Sequence, residues 1–380
     1  MQVYADNAAT TRMHQTAIDT MTYHLNHTFG NPSSLYTIGQ EAKEVLETAR
    51  ADMAACFGAQ PREIYFTSGG SEADNQAITS AAYIGARKGK KHIISTTFEH
   101  HAVLHTLKRL EKQGFEVTLL DVHADGLVTA QQVADAIRDD TCLVTIMFAN
   151  NEIGTIQPIP EIGELCRERG VWFHTDAVQA VGNVPIDVQA QKIDMLSLSG
   201  HKIHAPKGIG ALYLSDRLVQ AFRPPYLGGE QERGLRPGTE NLPYAMGLAA
   251  AATRLAKTMK SRDTAMKALN QRLRDGLKAF PEVELNSPEN AVPEVLNFSE
   301  MCIKSETMLA WLAEAQVYVS SASACGRGQP SHTLAAMGKD PLAVDTAIRV
   351  SFCGDNTPED VDAFLNRFED GMKSLQRIRK

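Results

Sequence analysis

The chain contains the stretch EIYFTSGGSEADNQAITSAAYIGAR at residues 63–87, in which a strand pattern changes to a helical pattern across two glycines. Residues 63–67 are mostly β-branched or aromatic, and residues 72–87 carry apolar side chains at helical spacing. A strand that enters a helix in this way is the repeating unit of a parallel sheet covered by helices. The backbone N–H groups at such a helix start also favour an anion such as phosphate, and a tight turn with a serine cap is the alternative interpretation.

The same alternation continues along the chain and predicts an α/β fold with a mainly parallel sheet. Further strand patterns lie at residues 92–96, 117–120, 141–148, 171–175, 194–198 and 210–214. Helical patterns separate most of them, at residues 101–112, 130–137 and 159–169.

The alternation ends after Leu242, and the remaining pattern predicts a second domain. An Ala-rich helix is expected from Pro243 to about Met259 and a separate helix over residues 262–279. Short strands near residues 283–285 and 295–298 and two further helices, from Ser305 and from Thr357, follow. We therefore expect a large α/β domain over residues 16–255 and a smaller α+β domain made of residues 1–15 and 256–380.

Composition excludes several classes of protein. The 380 residues include 38 basic and 45 acidic side chains and give a net charge of −7, so no basic surface for nucleic acid is expected. The opening MQVYADNAATT lacks a secretory signal pattern, and the most apolar stretch, residues 245–252, is too short to cross a bilayer. We expect a cytoplasmic protein that binds neither nucleic acid nor membranes.

The six cysteines, at positions 56, 142, 166, 302, 325 and 353, form no CxxC pair and show no metal-ligand spacing. Cys56, Cys142, Cys166 and Cys353 lie in patterns typical of packed cysteines. Cys325 differs because it lies in SASACGRGQP, residues 321–330, which is loop-like and contains an arginine. Such surroundings favour a thiolate, so Cys325 is the candidate reactive cysteine.

Two further segments carry candidate chemistry. Lys202 follows a strand in SLSGHKIHAPKGIG, residues 197–210, where a partly buried amine can become a Schiff-base nucleophile; a surface lysine is the alternative. Asp176 ends a strand in FHTDAVQA, residues 173–180, where a buried carboxylate needs a cation such as a protonated pyridine nitrogen; a helix N-cap is the alternative. A phosphate cradle, a carboxylate and a lysine are together the groups with which proteins hold pyridoxal phosphate.

Nine ordered motifs extend this pattern over nearly the whole chain. They are YADNAATT at 4–11, GNPSS at 30–34, FTSGGSEADN at 66–75, EH at 99–100, NNEIG at 150–154, HTDAVQA at 174–180, SGHK at 199–202, RGLRPGT at 233–239 and SASAC at 321–325. On these motifs the sequence resembles the cysteine desulfurases, the class-V aminotransferase-like branch of the pyridoxal-phosphate enzymes. The resemblance implies the aspartate-aminotransferase fold, which is fold type I of these enzymes.

The resemblance also implies roles for individual residues. Lys202 would hold the cofactor and move protons at the substrate Cα, Asp176 would pair with the pyridine nitrogen, and Gln179 would bind the ring hydroxyl. His100 would stack on the ring and shuttle protons. The implied phosphate ligands are Gly70, Ser71, Ser199 and His201. Thr239 would complete the phosphate site of the other subunit, which implies a homodimer. Asn151, which also belongs to the cofactor site, and Arg349 would bind the substrate carboxylate.

For Cys325 the resemblance implies attack on the sulfur of L-cysteine, which would leave L-alanine and a persulfide. The persulfide would supply a sulfur acceptor or an iron–sulfur scaffold protein, and Cys325 would also be the candidate transient ligand of a nascent iron–sulfur cluster. The spacer between Cys325 and the Pro-Ser-His at residues 330–332 is shorter than is usual in the family. A selenocysteine lyase or related β-lyase shares the cofactor residues without needing the persulfide, and is the alternative function.

Overall fold

The computed structural model describes residues 2–321 and 330–378. The strands are β1 Val3–Tyr4, β2 Ile64–Thr67, β3 His92–Thr96, β4 Glu116–Leu120, β5 Thr141–Thr145, β6 Trp172–Asp176, β7 Met195–Ser199, β8 Gly210–Leu214, β9 Glu284–Leu285, β10 Val295–Ser299, β11 Val317–Tyr318 and β12 Ala347–Ser351. The α-helices are α1 Gln15–His27, α2 Thr37–Ala55, α3 Gly70–Ala86, α4 His101–Glu111, α5 Ala130–Ala136, α6 Ile159–Glu168, α7 Asp216–Val219, α8 Leu242–Leu277, α9 Ser305–Glu314, α10 His332–Ala336, α11 Pro341–Asp345 and α12 Pro358–Ser374.

A seven-stranded sheet forms the centre of the larger part of the chain, in the order β2-β8-β7-β6-β5-β3-β4. The neighbouring strands from β4 to β7 pair in parallel, whereas β8 runs antiparallel to both β7 and β2. Every residue of β3, β5, β7 and β8 is buried, as expected for strands covered by helices on both faces. The predicted α/β fold with a mainly parallel sheet is confirmed.

The strand predicted over residues 141–148 ends earlier, at Thr145. The N–H groups of Ile146 and Phe148 still donate to carbonyls of β6, whereas the N–H of Met147 donates to the Glu99 carboxylate, at 2.9 and 3.1 Å from its two oxygens. This departure matters for function because the residues that follow β5 reach the candidate site.

A smaller set of strands lies apart from the central sheet. The strands β12, β10 and β9 form an antiparallel sheet, and β1 pairs in parallel with β11. Their apolar side chains form a separate core with α9, α12 and the second half of α8, in which Phe298, Phe364 and Phe368 pack ring against ring. This arrangement matches the predicted α+β character of the second part of the chain.

The helix α8 corrects one prediction. It runs without a break over 36 residues, about 54 Å at 1.5 Å per residue, where two helices separated near residues 260–261 were expected. The predicted break is wrong because MKSR, residues 259–262, contains no glycine or proline to stop a helix. Leu248 and Leu255 pack in the large core and Met266 and Leu273 in the small one, so α8 connects both cores.

The predicted domain boundary at residue 255 therefore falls inside a continuous helix, and the division into residues 16–255 and the remainder stays a prediction. Within residues 2–321 and 330–378, no helix combines the length and hydropathy needed to cross a bilayer.

Candidate active site

A cavity of about 300 Å³ lies where the strands β3, β5, β6 and β7 end. The carboxyl edge of a parallel sheet is where such folds place their ligands. Ten of the predicted site residues line it, namely Gly70, Ser71, His100, Asn151, Asp176, Gln179, Ser199, His201, Lys202 and Arg349. Thr239 is exposed and does not line this cavity, and Cys325 lies outside the described residues.

One end of the cavity is built to receive an anion. The helix α3 begins there at Gly70, and the first N–H groups of a helix have no partner within it. A Cβ at Gly70 would lie 2.7 Å from the Val178 side chain, so only glycine allows this close approach. Ser199 and His201 line the same cavity, and the Ser199 side chain lies beside Gly70. Burial, followed by the charge of Lys202, lowers the pKa of His201 to about 4, so this imidazole is neutral near pH 7.

Asp176 lies at the last position of β6 and is buried. One carboxylate oxygen accepts a hydrogen bond from the N–H of Val178 at 2.9 Å. Burial raises the pKa of Asp176 to about 6 against the opposing effects of that hydrogen bond and of Lys202. The residues after Asp176 form turns rather than an α-helix, so the N-cap interpretation does not apply. A buried carboxylate of this kind is stabilised by a cation placed against it.

A buried polar network that the sequence reasoning missed lies beside Asp176. His174 shares hydrogen bonds with Thr145, at 2.8 Å, and with Ser197, at 3.0 Å, and burial lowers its pKa to about 3. Asp74 lies 3.7 Å from His174, lines the cavity and has one carboxyl oxygen without a hydrogen-bond partner. Burial and the neighbouring Asp176 raise the pKa of Asp74 well above its ordinary value. Asp74 lies three residues after Ser71 and so on the same face of α3, and this spacing could have indicated that Asp74 also faces the site.

Lys202 ends a short 3-10 turn that follows β7. Its amine donates hydrogen bonds to the carbonyls of Ala9, at 2.8 Å, and of Ala8. Gln179 donates to the same Ala8 carbonyl at 2.9 Å. The surface-lysine interpretation applies to Lys207, which is exposed, whereas Lys202 is partly buried in the cavity wall.

His100 caps the start of α4, and its Nδ1 accepts the N–H of Ala102 at 3.1 Å. Since Nδ1 accepts that bond, the proton of the neutral ring lies on Nε2. Burial, followed by the charge of Lys202, lowers the pKa of His100 to about 4. His100 is thus a neutral imidazole with one N–H to donate.

Arg349 lies on β12 and is only 1% exposed, so it is a buried cation rather than a surface one. Its Nη2 donates to Oδ1 of Asp6 at 2.7 Å, and its Nη1 donates to the backbone carbonyl of Asn151 at 3.0 Å. Its Nε is buried and has no hydrogen-bond partner. No local sequence pattern indicates the contact with Asp6, which lies 343 residues away.

The expectation that several cysteines are packed holds for Cys142 and Cys166, which are buried and whose thiol pKa values are raised by burial. The same cause raises the pKa of the Cys353 thiol to about 11. Among residues 2–321 and 330–378, no group of three or more metal-ligating side chains could hold a metal ion.

Comparison with known proteins gives a consistent result. The family model described as aminotransferase class-V matches residues 3–364. The chain is 45% identical to a cysteine desulfurase IscS of Methanosarcina thermophila, over 99% of this chain and 93% of that protein. It is also 45% identical to a protein of Bacillus subtilis named putative cysteine desulfurase IscS 1, over 98% of this chain and 99% of that protein.

Solved structures give the same assignment. A NifS-like protein superimposes with a TM-score of 0.93 at 36% identity, over 99% of this chain and 100% of that chain. A structure described as SspA in complex with cysteine superimposes with a TM-score of 0.83 at 36% identity, over 93% of this chain and 100% of that one. The fold is therefore that of fold type I pyridoxal-phosphate enzymes, as expected, and the chain belongs to the class-V aminotransferase family, within its cysteine desulfurase branch.

Proposed function

We propose that this cysteine desulfurase binds pyridoxal phosphate and L-cysteine in the 300 Å³ cavity and moves the substrate sulfur onto Cys325, leaving L-alanine. The observation that carries the proposal is the convergence of three groups on one cavity: the amine of Lys202, the buried carboxylate of Asp176 and the start of α3. These groups come from separate parts of the chain, and the carboxyl edge of the sheet brings them together.

The residues present fit pyridoxal phosphate. Asp176 is a buried carboxylate that a protonated ring nitrogen would stabilise, and Gln179 lies beside it with an amide for the ring hydroxyl. The helix start at Gly70 and Ser71, together with Ser199 and His201 in the same cavity wall, suits the phosphate. When bound, the cofactor supplies an electron-withdrawing ring conjugated to the substrate nitrogen, which weakens the bonds at the substrate Cα.

Lys202 and His100 are the groups placed to move protons. The carbonyls of Ala8 and Ala9 hold the Lys202 amine at the wall of the cavity in which cofactor and substrate would bind. His100 carries its proton on Nε2, and burial opposes its conversion to imidazolium. Lys202 therefore acts as the base at the substrate Cα, and His100 acts beside it as a neutral hydrogen-bonding group.

Arg349 and Asn151 are placed to bind the substrate carboxylate. The buried guanidinium is oriented by the Asn151 carbonyl and keeps a free Nε–H at a site that also contains Lys202. L-Cysteine as substrate is further supported by the similar chain whose structure is described as a complex with cysteine.

The attachment of the segment that carries Cys325 supports its role as sulfur acceptor. Before the segment, Ser320 pairs with Arg349 through both backbone hydrogen bonds, at 2.6 and 3.1 Å. After it, the Ser331 hydroxyl donates to the Glu152 carboxylate, and His332 bonds the Glu99 carbonyl at 2.9 Å. Cys325 is five residues from Ser320, a reach of up to roughly 17 Å in an extended chain. Both ends of the segment are thus held by residues that line the cavity or adjoin its lining, namely Arg349, Glu152 and Glu99.

The transfer balances without an external oxidant. The Cys325 thiolate forms an S–S bond with the substrate sulfur while the Cβ–S bond breaks, and the electron pair left on carbon takes a proton to give L-alanine. The persulfide then carries the sulfur to an acceptor or iron–sulfur scaffold protein. We place this chemistry in the cytoplasm, where the free thiols at Cys142, Cys166 and Cys353 would stay reduced.

The homodimer is the remaining part of the proposal. Thr239 is exposed, outside the cavity of its own chain, and therefore available to a second chain. Large apolar side chains are exposed in the same molecule, including Phe29 at 78%, Leu35 at 89% and Leu227 at 91%. Exposed apolar surface of this kind favours burial against a partner, which a second copy would provide.

The test of the function is Cys325→Ser in the holoenzyme. We expect the visible cofactor band to persist and L-alanine formation from L-cysteine to fall to background, because a hydroxyl cannot carry a persulfide. Mass spectrometry should find one added sulfur on the Cys325 peptide of the wild type. Cys56→Ser is the matched control, because Cys56 is half-buried and distant in sequence from Cys325. This variant should keep the turnover of the wild type. Full alanine production by Cys325→Ser, without persulfide on the wild type, would instead support the selenocysteine lyase or β-lyase.

A further inference from the structure

The segment at residues 5–9, part of the YADNAATT motif, forms one wall of the cavity and contacts three site residues. The carbonyls of Ala8 and Ala9 hold Lys202, and the Ala8 carbonyl also holds Gln179. The third contact is the ion pair between Asp6 and Arg349. The established activity assigns no role to that pair.

The position of Asp6 is fixed by the backbone on both sides. The N–H of Ser351 donates to the Ala5 carbonyl at 2.7 Å, and the N–H of Asn7 donates to the Ser351 carbonyl at 3.2 Å. These bonds attach the segment to β12, two residues beyond Arg349. Asp6 therefore meets Arg349 through the register of two chain segments rather than through a long flexible side chain.

The pair is asymmetric in its burial. The Arg349 side chain is 1% exposed and the Asp6 side chain 21%, with the charged atoms 2.7 Å apart. A buried guanidinium needs a counter-ion, and Asp6 supplies it. Of the five N–H donors of Arg349, one on Nη1 bonds the Asn151 carbonyl and one on Nη2 bonds Asp6, while the Nε–H has no partner. A carboxylate that binds Arg349 therefore comes close to the carboxylate of Asp6.

We propose that Asp6 is a specificity-determining residue, which shares Arg349 with the substrate carboxylate and so weakens the binding of carboxylates at this site. This inference rests on the proposed role of Arg349 as the carboxylate-binding residue. Two carboxylates on one guanidinium repel each other strongly where water is excluded. The site consequently binds one carboxylate with reduced affinity and discriminates against a ligand with a second one.

The reduced affinity for carboxylates also affects the release of the product and therefore turnover. L-Alanine, the product, carries the same carboxylate as L-cysteine but no sulfur to react. A counter-ion that limits the affinity for the carboxylate therefore also limits retention of the product. Asp6 sets this balance without touching the reacting atoms.

The experiment titrates L-alanine and L-aspartate into the holoenzyme, followed by the visible cofactor band and by calorimetry. Asp6→Asn keeps an oxygen for the Arg349 Nη2 and removes the charge, so L-alanine should bind about tenfold tighter, and L-aspartate should gain at least as much. Asp6→Ser, which also removes the charge, should shift both affinities in the same direction. Unchanged or weaker binding of L-alanine in both folded variants would overturn the proposal.

Two controls separate this inference from other effects. Asp362→Asn makes the same substitution in the exposed ion pair with Arg272 and should leave both affinities unchanged. Arg349→Gln should abolish the response to L-alanine. If Arg349→Gln binds L-alanine like the wild type, the carboxylate-binding role of Arg349 is itself wrong. If it loses binding while the Asp6 variants behave like the wild type, only the inference about Asp6 is wrong.

Discussion

Asp176→Asn tests the electrostatic basis of the site without any measurement of turnover. In the cofactor-free chain, burial raises the pKa of Asp176 from 3.8 to about 6, so the charged carboxylate destabilises the fold at neutral pH. One pKa unit corresponds to about 1.4 kcal/mol, which makes the penalty roughly 3 kcal/mol at pH 7. Asparagine keeps the acceptor for the Val178 N–H and carries no charge.

The sign of the pH dependence follows from the raised pKa. The folded chain binds the Asp176 proton more tightly than the unfolded chain, so wild-type stability falls as the pH rises from 3.8 through 6. Urea unfolding of the cofactor-free proteins should therefore show Asp176→Asn more stable than the wild type by up to ~3 kcal/mol at pH 7. The difference should shrink toward zero below pH 4, where both side chains are neutral.

The same substitution should have the opposite effect on the loaded enzyme. Removing the negative charge removes the partner of a cationic ring nitrogen, so the variant should bind pyridoxal phosphate more weakly than the wild type. Asp139→Asn, at an exposed position, is the control and should change neither quantity. A cofactor-free Asp176→Asn protein that is no more stable than the wild type at pH 7 would refute the argument from burial.

Three further predictions address the other parts of the proposal. Lys202→Ala should lose the borohydride-trappable cofactor adduct, and a wild-type-like adduct in the variant would remove Lys202 from its role. Sedimentation should find a homodimer, and Thr239→Ala should weaken cofactor binding while the dimer persists; a stable, fully active monomer would contradict both. Glu232→Gln should cost roughly 3 kcal/mol in urea unfolding, because it removes the buried carboxylate 2.7 Å from the equally buried Arg50 and leaves Arg50 with only the exposed Glu47 as an acidic partner among the described residues. Unchanged stability would show that the ion pair with Glu47 is sufficient for Arg50.

The central sheet and three parts of the candidate site, the start of α3, Asp176 and Lys202, could be predicted because they depend on local patterns, whereas the other candidate residues were implied by the family resemblance. The residues of β3 (HIIST) and β7 (MLSLS) are buried on both faces, and these segments contain no Asp, Glu, Lys or Arg. The candidate site residues lie at or just after the ends of such strands, since Asp176 is the last residue of β6 and Lys202 comes three residues after β7. Strand ends and glycine turns can be identified in a sequence, so the reactive side chains beside them could be identified as candidate site residues.

Features that depend on long-range packing could not be predicted. The continuity of α8 depends on two separate cores, one packing Leu255 and the other Met266, and the intervening polar residues carry no sign of it. The burial of Asp74 depends on the sheet beneath α3. The contact between Asp6 and Arg349 joins the two ends of the chain through backbone register, which no local pattern records.

The same register links the binding of substrate to the delivery of the thiol. Arg349 uses its side chain to hold Asp6 and its backbone to pair with Ser320, which stands just before the segment that carries Cys325. A substrate carboxylate bound by Arg349 is therefore fixed relative to the point from which that segment departs. The other end of the segment is fixed by His332 to the carbonyl of Glu99, the residue before His100. In the proposed role of Arg349, one arginine would anchor both the substrate and one end of the cysteine segment. The distance between the substrate sulfur and the proposed acceptor thiol would then depend on a few residues of chain rather than on the positions of separate domains.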